Sequence, residues 1–388
     1  MQIRTITVGA REDSLAQAAA AARLARARLE DAGYVVQNMR LALSLASNVC
    51  GDMATIARGA EELALEHGFG FVSLGPLEGD RLAAAAEVIG STQAVFASAQ
   101  IVTPDGQVLP EHLRAAAEAM VALAQLSPDG FGNMRFAALA NVGPGSPFLP
   151  ASYHDRGDPW LAIGPEASAL AREAVRGLPA PGQPPAALGA ASRQAMAQLT
   201  ALIERHDAGI RAALGDLAGQ TGVRYAGCDW SLAPRPGDET SVGAAIEAIS
   251  GVPFGAWGTM AAVRALTAAI QAAQVTRLGF SGVMLPVLED TVLAQRCDEG
   301  RYTLRDLLAF SAVCGTGLDT IPLPGDASAP AIAQVLAEVA TLSATYRKPL
   351  TARLMPMAGL RAGDPTRFDL SADPAMASYF CAARALAL

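Results

Sequence analysis

Residues 280–325 read FSGVMLPVLEDTVLAQRCDEGRYTLRDLLAFSAVCGTGLDTIPLPG. An apolar run at 283–288 delivers two adjacent carboxylates, Glu289 and Asp290. A helical pattern follows, then a second at 303–312, which runs out on Cys314-Gly315-Thr316-Gly317-Leu318-Asp319-Thr320. Glycines on both sides of Thr316 leave little bulk near the thiol and open backbone angles closed to other residues. Read as a loop, this segment can bring Cys314 and Asp319 into a cavity. Its backbone N–H groups, at Gly315, Thr316 and Thr320, would face a ligand.

Working outward, strand-like and helix-like segments alternate from the first residue. Strands are expected at 3–8, 35–43, 69–74 and 93–102, and helices at 13–32, 53–66, 81–88 and 111–125. This alternation favours an α/β architecture with a largely parallel sheet. A further strand at 135–141 runs into VGPGSPFLPASYHD (142–155), whose prolines and glycines exclude a regular element. LPAPGQPP, within a linker-like region at 178–190, reads as a surface loop rather than a lobe boundary. A long amphipathic helix or a broken pair at 191–217 precedes a strand at 223–228 that ends on Asp229-Trp230-Ser231. Helices are expected at 241–249, 260–274, 329–345 and in the tail at 375–388. The last clear strand is 350–355.

The net charge of −8 carries no long run of one sign, which excludes the clustered Lys and Arg of a nucleic-acid surface. Five widely spaced cysteines without a CxxC pair argue against structural zinc. Cys50, Cys297 and Cys381 read as structural. No segment reads as a signal peptide or membrane span, so the expectation is a cytoplasmic protein with reduced thiols. Alanine-rich helices and only 17% charged residues suggest a homodimer.

In parallel α/β proteins, ligands gather at the carboxyl ends of strands. Asn141 to His154, Asp229 to Ser231, Glu289-Asp290, Cys314 to Thr320 and Arg353 all fall there. Each has a second reading. Cys314 is either a nucleophile or a small thiol under a tight turn. His154 is either a base or a satisfied loop histidine. Asp229 is an acid/base, a metal ligand or a turn-forming group. Glu289 and Asp290 are helix-dipole partners, or Glu289 joins Asp229 and Asp319 as oxygen ligands for a divalent cation. Neither a phosphate-binding GxxxxGK[ST] nor a dinucleotide GxGxxG is present.

The segments NMRFAALANVGPGSPFLPASYH, GCDWSLAPRPGDETSVGAAIE, FGAWGTMAAV, FSGVMLPVLED, SAVCGTGLDTIPLPGD and KPLTARLMP resemble domain-of-unknown-function family 711, whose members are described as pyruvate-formate-lyase-like. The resemblance runs over nearly the whole chain. It implies one large domain (1–388): a ten-stranded α/β barrel in two five-stranded halves, like glycyl radical enzymes and ribonucleotide reductases. A central loop would carry a cysteine, placing Cys314 near the barrel axis. The chain departs from glycyl radical enzymes in lacking an RVxGY segment near its C-terminus. The resulting expectation is an enzyme acting on a small polar or anionic metabolite by non-radical, lyase-type chemistry. Cys314, Asp229, Asp319 and His154 would be catalytic, while Asn141, Ser231, Gly315, Thr316, Thr320 and Arg353 would bind substrate. A divalent ion at Asp229, Glu289 and Asp290 is the one cofactor expectation. The rival expectation is a non-catalytic metabolite-binding or regulatory protein using the same cavity.

Overall fold

The computed structural model describes residues 1–43, 51–178, 185–368 and 379–388, without the side chains of 185–188. Cys50 and most of the LPAPGQPP segment lie outside the described residues. Ten strands form one sheet: β1 (Gln2–Gly9), β2 (Val35–Val36), β3 (Met39–Ala42), β4 (Phe71–Pro76), β5 (Val95–Val102), β6 (Phe136–Ala140), β7 (Trp160–Pro165), β8 (Arg224–Cys228), β9 (Gly317–Pro324) and β10 (Leu350–Met357). The order is β8-β7-β1-β3-β4-β5-β6-β10-β9, with β2 paired to β1.

The sheet is largely parallel, as expected, but it contains two antiparallel joints. β1, β3, β4, β5 and β6 are parallel neighbours. β7 joins β1, and β10 joins β6, in antiparallel fashion. β8 is parallel to β7, and β9 to β10. The carboxyl ends of the two groups therefore point to opposite ends of the molecule, which divides the clusters expected to meet. β8 and β9 are the ends of the strand order. Between them residues 277–286 make only single parallel bridges, Cys228 with Arg277, Leu232 with Val283 and Pro286 with Asp319. The sheet is thus not closed by continuous strand pairing. Pro286 helps to keep the apolar run at 283–288 from becoming a strand, because proline has no N–H for a ladder.

Alternation along the strands builds two apolar layers. Ile6, Val8, Leu41, Val72 and Leu74 join the main core, with residues of the helices Leu15–Asp31 and Pro110–Leu123. On the other face Ala137 and Leu139 pack with Phe148, Phe280 and Met284. The proline-rich segment after β6 runs through this second layer, where Thr7 donates to the Pro147 carbonyl at 2.8 Å. Its inward turn is what the prolines and glycines encode.

Two sequence expectations fail here. CGTGLDT is not a free loop: Gly317–Pro324 is a fully buried strand. Its prolines at 322 and 324 hid it, and they are tolerated because β9 ends the strand order. The expected C-terminal helix is absent over 379–388. That segment bonds across instead, Cys381 N–H to the Leu288 carbonyl at 2.6 Å and Thr366 N–H to that of Ala383 at 2.7 Å.

Candidate functional site

A cavity of ≈150 Å³ opens near the amino ends of β1, β3, β4, β5 and β6, between those strands and β9 and β10. Its polar lining is Arg4, Gln37, Asn38, Arg40, Glu289, Asp319, Thr351, Arg353 and Tyr379. Phe71, Phe96, Phe148, Phe280 and Met284 supply much of the apolar lining. An apolar cavity of about this volume admits a molecule the size of benzene, so the space suits a small metabolite.

Local irregularities deliver its charges. Leu318 pairs with Ala352 and Ile321 with Leu354, so Asp319 and Thr320 together stand opposite Arg353. This is a β-bulge, a device that re-aims side chains. Thr320 takes φ +40, a region β-branched residues avoid. Its hydroxyl accepts the Leu288 N–H at 3.4 Å, which ties the bulge to the segment carrying Glu289. A second irregularity lies at Arg4, the extra residue where Ile3 pairs with Pro165 and Thr5 with Gly164.

Arg353 donates from Nε to Asp319 Oδ1 at 2.7 Å and from Nη2 to Glu289 Oε1 at 2.6 Å. All three are nearly buried, at 7%, 7% and 8% exposure for Arg353, Asp319 and Glu289. Burial raises the Glu289 pKa above its ordinary 4.5; Arg353 opposes this rise and Asp319 adds to it. Burial works against the Arg353 charge, but Asp319 and Glu289 outweigh it and hold its pKa above the ordinary value.

Arg4 and Arg40 have no carboxylate within 4 Å among the described residues. Arg4 donates to the Pro234 carbonyl at 2.8 Å, and Arg40 to Asn38 Oδ1 at 2.8 Å. The Arg40 guanidinium lies 5.8 Å from the Phe71 ring centroid, within cation–π range. Burial lowers its pKa to about 9, and Arg4 adds repulsion, yet it stays protonated at neutral pH. Among the described residues, three guanidiniums face two carboxylates across the cavity.

Of the residues expected from sequence, Glu289, Asp319 and Arg353 meet here. The others do not line the cavity. Asp290 is buried and occupied by five donors: the Val242, Gly243, Val292 and Leu293 N–H groups and the Ser241 hydroxyl. It thereby caps both Val242–Ser250 and Thr291–Asp298. Asp229 accepts from the Ser231, Phe280 and Ser281 N–H groups and from the Ser231 hydroxyl. Burial raises its pKa against those donors. Ser231 is spent on that turn, its oxygen also accepting the Gly282 N–H at 3.2 Å.

Cys314 is fully buried in the main core, not at the interior loop. It closes the helix Leu304–Cys314, with Gly315 left-handed as the C-cap. The Thr316 and Gly317 N–H groups point at its sulfur from 3.4 and 3.5 Å, and the Thr316 hydroxyl donates to the Val283 carbonyl. The loop that does enter the second layer, 146–152, carries no cysteine. His154, 1% exposed, accepts the Arg156 N–H at Nδ1 and so donates from Nε2 to the Asp158 carbonyl. Asn141 sits at the carboxyl end of β6 in a left-handed conformation, φ +55. Turned to satisfy both its groups, its amide donates to the Pro104 carbonyl and accepts the Lys348 N–H.

Among the described residues no three His, Cys, Asp or Glu side chains form a cation site. Asp229 and Asp290 are consumed by hydrogen bonds, and the Arg353 guanidinium occupies the position between Glu289 and Asp319.

The family profile described as Uncharacterised ACR (DUF711) matches residues 1–371. The chain belongs to this family. A UPF0210 protein of Pyrobaculum islandicum is 32% identical over 334 residues, covering 80% of this chain and 69% of its own. One from Desulforudis audaxviator is 30% identical over 363 residues, 87% and 77% of the two chains. One from Pyrobaculum aerophilum is 37% identical over 246 residues. That match spans 59% of this chain and about half, 51%, of the relative.

Sequence reasoning did not single out Arg4, Gln37, Asn38, Arg40 or the phenylalanine lining of this family member. A signal existed: Arg4 in QIRTITVG and Arg40 in NMRLAL are charges inside strand-like segments, where burial demands a reason.

Proposed function

We propose that the protein is an enzyme whose cavity binds a small carboxylate-bearing metabolite, with Glu289 as the group that exchanges a proton with it. The observation carrying this reading is the pair of guanidiniums, Arg4 and Arg40, facing the cavity with no carboxylate partner among the described residues. Guanidinium forks match carboxylates bidentately. Glu289 is the cavity carboxylate whose pKa is displaced toward neutrality, the condition for acid–base work. The chemistry is two-electron and lyase-type in this reading. The burial of Cys314 in the main core supports giving the thiol a packing role.

The same proposal takes the chain as one unit, since a single sheet draws strands from residues 2 to 357. It also treats the single bridges through 277–286 as the seam of a barrel-like wall around the cavity. A homodimer is part of the reading, supported by Trp257 at 100% exposure beside Met260 at 42%. The test is titration calorimetry with short carboxylates against wild type and Arg40→Met. Binding that weakens at least about ten-fold, or ~1.4 kcal/mol, in the variant is expected. Equal affinities would sink the proposal.

A further inference from the structure

We infer that the ligand is a zwitterion, a small amino acid with a short apolar side chain; this rests on the carboxylate-binding cavity proposed above. Arg353 engages only one oxygen of each acidic partner, Asp319 Oδ1 and Glu289 Oε1. Asp319 Oδ2 and Glu289 Oε2 accept no hydrogen bond from the described residues, and their side chains are only 10% and 11% exposed. Both residues line the cavity, so their unspent oxygens are available to a ligand donor there.

Arg4 and Arg40, which have no carboxylate partner among the described residues, and the two unspent oxygens make opposite demands. A ligand with only a carboxylate would satisfy Arg4 and Arg40 but bring negative charge to Glu289 and Asp319. An amine alone would satisfy the acids but meet the guanidiniums. Glu289 and Arg353 are close enough to Arg40 to act on its charge, so the two sets share one small space. An ammonium has three donors, enough for both oxygens, while the attached carboxylate reaches the arginines. Phe96, Phe148, Phe280 and Met284 give the remaining lining an apolar character. The volume, ≈150 Å³, leaves room for only a few carbons beyond the two charged groups.

The test is a matched titration of the full chain by calorimetry. 2-Aminobutyrate and valine are compared with butyrate and 3-methylbutanoate, which lack the ammonium, and with propylamine and isobutylamine, which lack the carboxylate. The amino acids should bind at least about ten-fold tighter than the matching acids, and the amines should not bind. Glu289→Gln should erase the preference for the amino acid while the acids bind as well or better. Asp319→Asn serves the same purpose if Glu289→Gln does not fold. Acids that bind as tightly as the amino acids overturn the zwitterion; loss of their binding in Arg40→Met would show that the carboxylate cavity stands regardless. No binding by any acid or amino acid overturns both.

Discussion

Replacing Arg353 with methionine removes one cation from between two nearly buried carboxylates. The side chain keeps much of its length, so the change is mainly one of charge. Glu289 and Asp319 then face each other without the guanidinium that bonds each at 2.6–2.7 Å. Breaking a buried pair from one side costs about 3–5 kcal/mol, because an uncompensated charge stays buried. At roughly 2 °C per kcal/mol, the low end for large domains, the melting temperature should fall by ~6–10 °C at neutral pH. The deficit carries a pH signature. Glu289 already has a folded-state pKa above its unfolded value. A raised acid pKa contributes stability that is present below the unfolded pKa and lost as pH rises through the folded one. Without Arg353 the folded value rises further, so the variant's deficit should grow with pH from about 4.5 upward and shrink below it. Urea unfolding of wild type and variant from pH 4 to 8 reads this directly. The triple variant Arg353→Met, Glu289→Gln, Asp319→Asn should recover most of the loss. A deficit under ~1 kcal/mol at pH 7, or one independent of pH, would refute the description of these residues as a coupled buried network.

Other outcomes follow from the same geometry. Asp290→Ala removes acceptors from the first turns of two helices at once and should cost about 1–4 kcal/mol in denaturant unfolding, twice a single cap. Cys314→Ser should leave cavity binding within about two-fold, less than ~0.4 kcal/mol, in calorimetry; a ten-fold loss would return the thiol to the site. Among Cys228, Cys297, Cys314 and Cys381, only Cys381 is partly exposed, so peptide mapping after brief iodoacetamide treatment should find it modified first. Light scattering should give the mass of two chains, and Trp257→Ser should shift it toward one.

The sequence carried the α/β alternation, most helices and three of the cavity's charged residues. Glu289, Asp319 and Arg353 were legible because charges beside buried apolar runs stand out. The opposed direction of β7–β10 was not legible, since pairing direction leaves no local periodicity. That one unknown separated Asn141 from the cavity, although both had been assigned to one strand-end face. β9 escaped because Gly315, Gly317, Pro322 and Pro324 read as punctuation. The polar groups at Asp229, Asp290, His154 and Ser231 were real signals of burial. Their donors come from distant segments, so sequence alone could not separate anchoring from chemistry.

Glu289 and Asp290 are neighbours in the chain with divided roles, and this has a mechanical consequence. Asp290 is pinned by five donors from two helices, and a Cβ added at Gly243 would lie only 3.1 Å from its Oδ1. The backbone one residue away is therefore tied to both helices. Geometry near a reacting centre is sensitive to displacements of about 1 Å. A ligand that pulls on Glu289 pulls, through one peptide unit, on the amino ends of Val242–Ser250 and Thr291–Asp298 together. Occupancy of the cavity should therefore slow amide hydrogen exchange in the first turns of both helices, far along the sequence from each other, as one event.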